Sequence, residues 1–176
     1  MPRVSTLLVL LAGLLLGAAG TLGAQTTPAS LAGTYRYAAQ ESDNINQAIE
    51  AAVARMNFVT RPVARGRLKK TNSAYQTISI AHSPQEVRIV TDQRAPIVTP
   101  ANGTPIDWTR EDGEKFKVST AWQNGALEQT FRADDGQRVN HYSLSPDGNT
   151  LSMRVTVTSP RLSRPLVYTL RYHRAQ

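Results

Sequence analysis

After residue 75 the chain alternates between apolar and polar residues, a period of two that is typical of β-strands with one dry face and one wet face. The alternation is clearest in three segments of the C-terminal half of the chain. The dry faces predicted there carry Phe116, Val118, Thr120 and Trp122, then Leu151, Met153, Val155 and Val157, and then Leu166, Tyr168, Leu170 and Tyr172. These strands are expected to bury one face against a common core.

Short turn sequences separate the alternating segments. Asn-Gly and Asp-Gly between alternating runs are strong hairpin signals, because glycine readily adopts the positive φ that tight turns need. Together with a first strand from 31 to 39, these turns predict about eight to ten consecutive antiparallel strands. The turns are predicted at Ser83-Pro84, Asp112-Gly113, Asn124-Gly125, Asp135-Gly136 and Asp147-Gly148.

One segment has a different period and predicts a helix after the first strand. From Asp43 to Met56, apolar residues recur at spacings of three and four, which places them on one face of a helix. Ser42 stands where an N-cap belongs, and the charge of Asp43 suits the N-terminal end of the helix dipole. The predicted fold class is therefore mainly β with one helix.

Two other segments are expected to be irregular. The stretch from 58 to 72 contains Pro62 and Gly66, which argue against one regular element. The stretch from 93 to 106 contains Pro96, Pro100 and Pro105. It is expected to be a long loop or a broken edge strand, because proline cannot donate to a central ladder.

The strand series permits three architectures. An antiparallel meander of eight to ten strands can close into a barrel or fold into a sandwich, and closure is favoured because it removes exposed sheet edges. The third architecture is a half-open sheet wrapped around the helix, which satisfies the same periodicities. Pairing between the first and last strands distinguishes the closed barrel from the half-open sheet.

The start of the first predicted strand resembles a known family. The residues Leu31–Tyr35 (Leu-Ala-Gly-Thr-Tyr) are similar to the glycine, any residue, tryptophan signature of lipocalin-like (calycin-type) β-barrels, with tyrosine in place of tryptophan. A helix directly after the first strand is similar to the lid of intracellular lipid-binding barrels. The resemblance implies a late arginine that packs across the aromatic ring, for which Arg171 is the candidate, and an interior that holds one small apolar or amphipathic molecule.

This resemblance gives the first functional hypothesis, a lipocalin-like protein that binds such a molecule in its barrel. The helix would cap one end. Small barrels are also often filled by their own side chains. The residues expected to line or fill the interior are Tyr35, Phe116, Trp122, Phe131, Tyr168 and Arg171.

The N-terminal segment predicts export. Arg3 is followed by an apolar stretch from Leu7 to Leu16 and then by small residues, which is the order of a secretory signal peptide. That stretch is about half of the ~20 residues that a transmembrane helix needs. We therefore predict a signal peptide at 1–24, cleaved after Ala24 or after Gly20, and one periplasmic or secreted domain at 25–176 that is not an integral membrane protein.

Few residues suggest chemistry. The chain has no cysteine, which excludes disulfides, thiolate metal sites and a cysteine nucleophile. His82, His141 and His173 lack the close spacing of a zinc site, and no local signature of hydrolases or nucleotide enzymes occurs. The sequence predicts a binding protein without catalytic residues, metal or cofactor.

The charge distribution gives the second functional hypothesis. The formal net charge is +7, and no acid lies between Glu50 and Glu86. Guanidinium groups bind phosphate and carboxylate groups, so this segment could hold an anionic envelope surface or partner, or could simply be a solvated loop. Export argues against nucleic acid as that partner. The candidate anion-binding residues are Arg61, Arg65, Arg67, Lys69 and Lys70.

Overall fold

Ten antiparallel strands and two α-helices make up residues 30–175, which are the residues that this computed structural model describes. The predicted signal peptide at 1–24 lies outside the described residues. Within them, neither helix is long and apolar enough to cross a bilayer. The elements in chain order are β1 (Gly33–Tyr37), α1 (Ile45–Val53), α2 (Arg61–Thr71), β2 (Thr77–His82), β3 (Glu86–Thr91), β4 (Arg94–Pro100), β5 (Ile106–Thr109), β6 (Lys115–Gln123), β7 (Ala126–Ala133), β8 (Gly136–Leu144), β9 (Thr150–Thr158) and β10 (Leu166–Arg174).

The strands form one nearly closed barrel. Neighbours in sequence pair with one another, and β1 pairs antiparallel with β10, with Tyr37 opposite Tyr172. Only β4 and β5 lack a ladder between them, and β4 is the proline-containing edge strand beside that gap. The predicted antiparallel barrel is thus confirmed, and the half-open sheet is wrong because the first and last strands pair.

The interior is lined by one alternating set of side chains from each strand. Leu151, Met153 and Val155 of β9 are buried, as are Tyr168 and Tyr172 of β10. The predicted dry faces of these two strands are confirmed. At the β6–β7 turn, Asn124 and Gly125 have φ values of 51° and 80°, the left-handed geometry expected of an Asn-Gly hairpin turn.

The helix α1 is shorter than predicted at both ends. Its N-cap is Asn44, whose Oδ1 accepts the Gln47 N–H (3.1 Å), rather than Ser42. Ser42 Oγ accepts the Arg171 N–H (2.8 Å), and Asp43 Oδ2 accepts the Thr169 N–H (2.7 Å). These side chains therefore satisfy the free edge of β10 beyond the end of β1.

The segment predicted to be irregular forms the second helix, α2. Pro62 lies in the first turn, where a missing backbone N–H removes no intrahelical hydrogen bond. A Cβ on Gly66 would meet no atom within 4 Å, so this glycine weakens the helix without interrupting its packing. The helix α1 packs on β10 and α2 packs on α1, and the two helices, termed the lid, cover one end of the barrel.

The opposite end is closed around Tyr35. The ring is fully buried, and its hydroxyl group donates to the Leu31 carbonyl (2.9 Å). The cation over the ring is Arg174, with its guanidinium carbon 4.9 Å from the ring centroid. Glycine is favoured at position 33 because its φ of 153° is one that other residues rarely adopt, and a Cβ there would also lie 2.3 Å from Arg174 Nη1.

The assignment of Arg171 to this contact was wrong. Arg171 alternates with the inward residues of β10, so its side chain is outside the barrel and donates to Ser152. Arg174 shares the inward parity of Tyr168 and Tyr172, which brings it over Tyr35.

Candidate ligand-binding site

A cavity of about 660 Å³ opens beneath α2 at the lid end of the barrel. The adjoining ends of β6 to β9 form its other walls. This volume lies within the ~300–1,000 Å³ that ligand sites typically occupy, and the cavity is open to solvent between α2 and the strand ends. Its apolar lining includes Leu68, Phe116, Phe131 and Val157, together with Val59 and Val63, which are largely exposed to solvent.

A cation, Arg138 of β8, belongs to the wall of this cavity. Its Nε donates to Asn140 Oδ1 (2.8 Å) and its Nη1 donates to Asn72 Oδ1 (3.1 Å). Its Nη2 is buried and has no hydrogen-bond partner among residues 30–175. No carboxylate among residues 30–175 forms an ion pair with it. Arg138 therefore has unused capacity to bind an anion.

The groups around Arg138 favour its charged form. A guanidinium keeps its charge at neutral pH, and although burial lowers the pKa of Arg138, its interactions with Tyr168, Tyr75 and Tyr142 raise that pKa overall. Burial also raises the pKa of Tyr142 and of Tyr168, so both hydroxyl groups stay neutral at neutral pH. The site presents a positive charge among neutral polar groups.

A row of neutral polar side chains continues from Arg138 into the barrel. Asn140 Nδ2 donates to Tyr142 Oη (3.2 Å), and Tyr142 Oη donates to Gln129 Oε1 (3.3 Å). Within the part of the chain that the structure describes, Gln129 Nε2 is a second buried donor without a partner. The row holds Asn140 in place and leaves the acceptors near Arg138 uncharged.

The other cations of the cavity wall are mostly paired. Arg110 binds Asp112 (2.7 Å) and Glu114, and Arg67 and Arg161 both lie near Asp135, at 3.6 and 3.5 Å. Arg94 lies 5.8 Å from the Tyr75 ring centroid and, within the described part of the chain, forms no ion pair. An anion in the cavity would thus find two cations without acidic partners.

The residues predicted to line the interior are divided between the two ends. Phe116 and Phe131 line the cavity, and Tyr168 donates to Asn72 (3.0 Å) beside Arg138. Tyr35 lies at the closed end, and Trp122 is an exposed side chain whose ring lies 5.0 Å from that of His82. The ligand contacts themselves stay a prediction.

The predicted anion-binding residues all lie on α2, and three of them hold this helix in place. Arg61 donates to the Ala54 (2.9 Å) and Met56 (2.7 Å) carbonyls after α1, and Arg65 binds Glu50 (2.7 Å). Arg67 is the partner of Asp135 noted above. Lys69 and Lys70 are exposed on the lid.

The sequence reasoning missed Arg138 and Asn72. The available signal was the alternation in β8, where Arg138, Asn140 and Tyr142 share one face and the opposite face is also polar except for Val139. A strand without an apolar face indicates a polar site inside the barrel. Nothing in the sequence indicated Asn72, because its partner lies 66 residues further along the chain.

Comparison with protein-family models and with curated proteins gives no match. Solved structures give similarities across most of the chain. The structure of the REP1-NXSQ fatty acid transporter is 19% identical with a TM-score of 0.55, and the match covers 83% of this chain and 96% of that chain. Echinococcus granulosus fatty-acid-binding protein 1 is 15% identical with a TM-score of 0.53, covering 83% and 98% of the two chains. Human cRBP IV is 18% identical with a TM-score of 0.52, covering 84% and 100%. These similarities confirm the predicted lipocalin-like fold.

Proposed function

We propose that the protein binds a small amphipathic molecule whose apolar part occupies the barrel cavity and whose anionic head group binds Arg138. The observation that carries this proposal is the cation in the cavity wall with a buried Nη2 that has no partner. A buried charge is costly unless it is paired, so an arginine without an acid gains more from an anionic ligand than a paired one does.

The cavity walls specify the rest of the ligand. Phe116, Phe131 and Val157 offer apolar contact but no hydrogen bonds, so a hydrocarbon part suits them. Two of the similar structures carry the words fatty acid in their names, which supports the same ligand class.

The proposal includes export and excludes catalysis. The predicted signal peptide would deliver the domain to the periplasm or the medium, where it would act as a carrier or binding protein. Fusion of residues 1–24 to a reporter enzyme that is active only outside the cytoplasm tests this part.

The binding test compares two ligands that differ only in their head group. Dodecanoate and dodecanol are titrated against the protein with Trp108 as the reporter, since its ring lies 5.8 Å from those of Phe116 and Phe131. A Trp122→Phe background removes the tryptophan at the closed end. We expect dodecanoate to bind about tenfold or more tightly than dodecanol, because hydrogen bonds to a charged group contribute about 1.5–3 kcal/mol.

The decisive variant is Arg138→Gln, with Arg132→Gln on the outside of β7 as the matched control. The first should remove the preference for dodecanoate, and the second should leave it intact. Arg138→Lys, which keeps the charge, checks that any loss is electrostatic rather than a folding defect. Unchanged dodecanoate affinity in folded Arg138→Gln would refute the proposal.

A second candidate function is docking of the lid on an anionic lipid surface. Phe58, Val59 and Val63 are 83%, 63% and 68% exposed, an unusual set of apolar side chains for a free surface. Helical periodicity places Lys70 on the same face as Val63. Apolar insertion combined with cationic attraction is the pattern of interfacial helices.

Co-sedimentation with vesicles of phosphatidylglycerol or phosphatidylcholine tests this candidate. We expect binding to phosphatidylglycerol alone, weakened by salt because exposed charges are screened. Val63→Asp with Lys70→Glu should abolish the binding, whereas Arg132→Glu should not. Equal retention of both variants would exclude docking through the lid.

A further inference from the structure

The last residue of the lid, Asn72, is tied directly to the proposed anion-binding arginine. Asn72 is the C-cap of α2, and it is buried. Its backbone N–H (2.9 Å) and its Nδ2 (3.0 Å) both donate to the Leu68 carbonyl, which fixes the amide to the last turn of the helix. Its Oδ1 then accepts from Arg138 Nη1 (3.1 Å) and from Tyr168 Oη (3.0 Å).

Asn72 therefore occupies a donor that an anionic ligand needs. A carboxylate binds arginine best through two parallel hydrogen bonds, which use Nη2 together with either Nη1 or Nε. Asn140 accepts from Nε and Asn72 accepts from Nη1. Each two-point arrangement therefore has one of its two donors already occupied. Because Nη2 itself is buried, an anion reaches it only when a neighbour moves.

Of the two neighbours, Asn72 lies at the end of an element, and its Nδ2 also donates to Thr71 Oγ1 (3.1 Å), so its amide leaves Arg138 together with the last turn of α2. Asn140 is buried on a central strand of the barrel and is hydrogen bonded to Tyr142. Asn72 follows the last turn of α2. The ion pair between α2 and the β7–β8 turn, Arg67 with Asp135, is exposed, and its N–O distance is long at 3.6 Å. Exposed pairs of this kind contribute little to stability.

We propose that Asn72 is a built-in competitor for Arg138, which an anionic head group must displace, and that its displacement loosens the last turn of α2. The inference rests on the proposed function, since it concerns the same arginine. The free protein holds its lid partly through this hydrogen bond. An anionic ligand replaces this hydrogen bond with its own stronger bonds to Arg138. Binding of the ligand therefore loosens the end of the lid.

Substitution of Asn72 tests the competition. We expect Asn72→Ala to bind dodecanoate about tenfold or more tightly than the unmodified protein, because the hydrogen bond it removes is made to a charged guanidinium, and to bind dodecanol equally well. We expect Asn72→Asp to bind dodecanoate at least about tenfold more weakly, because its own carboxylate would pair with Arg138. Ser73→Ala, which removes an exposed hydrogen bond to Gln93, is the matched control and should change neither affinity.

Hydrogen exchange of the unmodified protein tests the effect on the lid without any substitution. We expect the amide of Asn72 and its neighbours in α2 to exchange faster with dodecanoate bound than with dodecanol bound. Equal exchange with the two ligands would overturn the inference, as would equal dodecanoate affinity of Asn72→Ala and Ser73→Ala. If Arg138→Gln loses dodecanoate in the same experiments, the proposed function survives that outcome. If Arg138→Gln keeps dodecanoate, the proposed function fails and the competition fails with it.

Discussion

Arg174 is expected to be the most stabilising arginine at the closed end of the barrel. Its Nε donates to the Gly148 carbonyl (2.9 Å), Nη1 to the Ala32 carbonyl (2.8 Å) and Nη2 to the Ser30 carbonyl (2.9 Å). Its guanidinium also covers the Tyr35 ring at 4.9 Å. One side chain thus connects the last strand, the β8–β9 turn and the segment before β1.

The expected effect of Arg174→Ala follows from these contacts. The three hydrogen bonds are partly exposed, so each is assigned about 1 kcal/mol, below the range for fully buried charged donors. The contact with Tyr35 adds about 0.5–1 kcal/mol. The free energy of unfolding should therefore fall by about 3–4 kcal/mol, and Tm should fall by roughly 10 °C for a domain of this size.

Urea unfolding followed by circular dichroism measures this loss, with Arg171→Ala as the matched control. Arg171 lies three residues earlier in β10 and is exposed, and within the described residues its side chain donates only to Ser152. Its removal should cost less than about 0.5 kcal/mol, as for most surface substitutions. Equal losses in the two variants would refute the assignment of Arg174 as the residue that closes this end.

Further predictions concern a close backbone contact and two sets of titrating groups. Gly136→Ala should destabilise the protein by about 1–3 kcal/mol, because its Cβ would lie 2.5 Å from the Thr158 carbonyl oxygen. Gly66→Ala should stabilise α2 by up to about 1 kcal/mol, and urea unfolding of the two alanine variants compares these signs. The Arg110 guanidinium lowers the pKa of Asp112 to about 2, so the stability from this pair is present above pH ~4 and is lost between about pH 4 and 2. An NMR titration in Arg110→Ala should show the pKa of Asp112 return toward its ordinary value, and an unchanged pKa would contradict this cause. Burial raises the pKa of four tyrosines, which are Tyr35, Tyr142, Tyr168 and Tyr172. The free energy of unfolding should therefore fall as the pH rises above about 10. A spectrophotometric titration in which these four tyrosines ionise before the protein unfolds would contradict their burial.

The sequence by itself determined the barrel. Alternation of period two assigns each strand one inward face, and turn pairs such as Asn124-Gly125 mark the positions of several hairpins. Both signals involve residues that are close in sequence, so they can be read without knowledge of the tertiary contacts. The same alternation would have selected Arg174 over Arg171, because only Arg174 shares the inward parity of Tyr168 and Tyr172.

The second helix is compatible with the sequence, but the composition of its segment does not show the usual helix pattern. The segment Arg61–Thr71 has a single buried residue, Leu68, so it lacks the apolar stripe that identifies a helix. Its stability comes from packing on α1 and from pairs such as Arg65 with Glu50. Proline in the first turn is compatible with a helix, and the sequence rule against proline does not apply there.

Only the tertiary structure decided where a ligand can bind. Whether Arg138 has an acidic partner depends on side chains from α2, β7 and β10, which the chain brings together from distant positions. The cavity likewise exists because the inward side chains at the lid end leave volume unfilled, whereas those at the closed end pack around Tyr35. A residue's type and parity are written in the sequence, but its unpaired charge and the space beside it are properties of neighbours that only folding assembles.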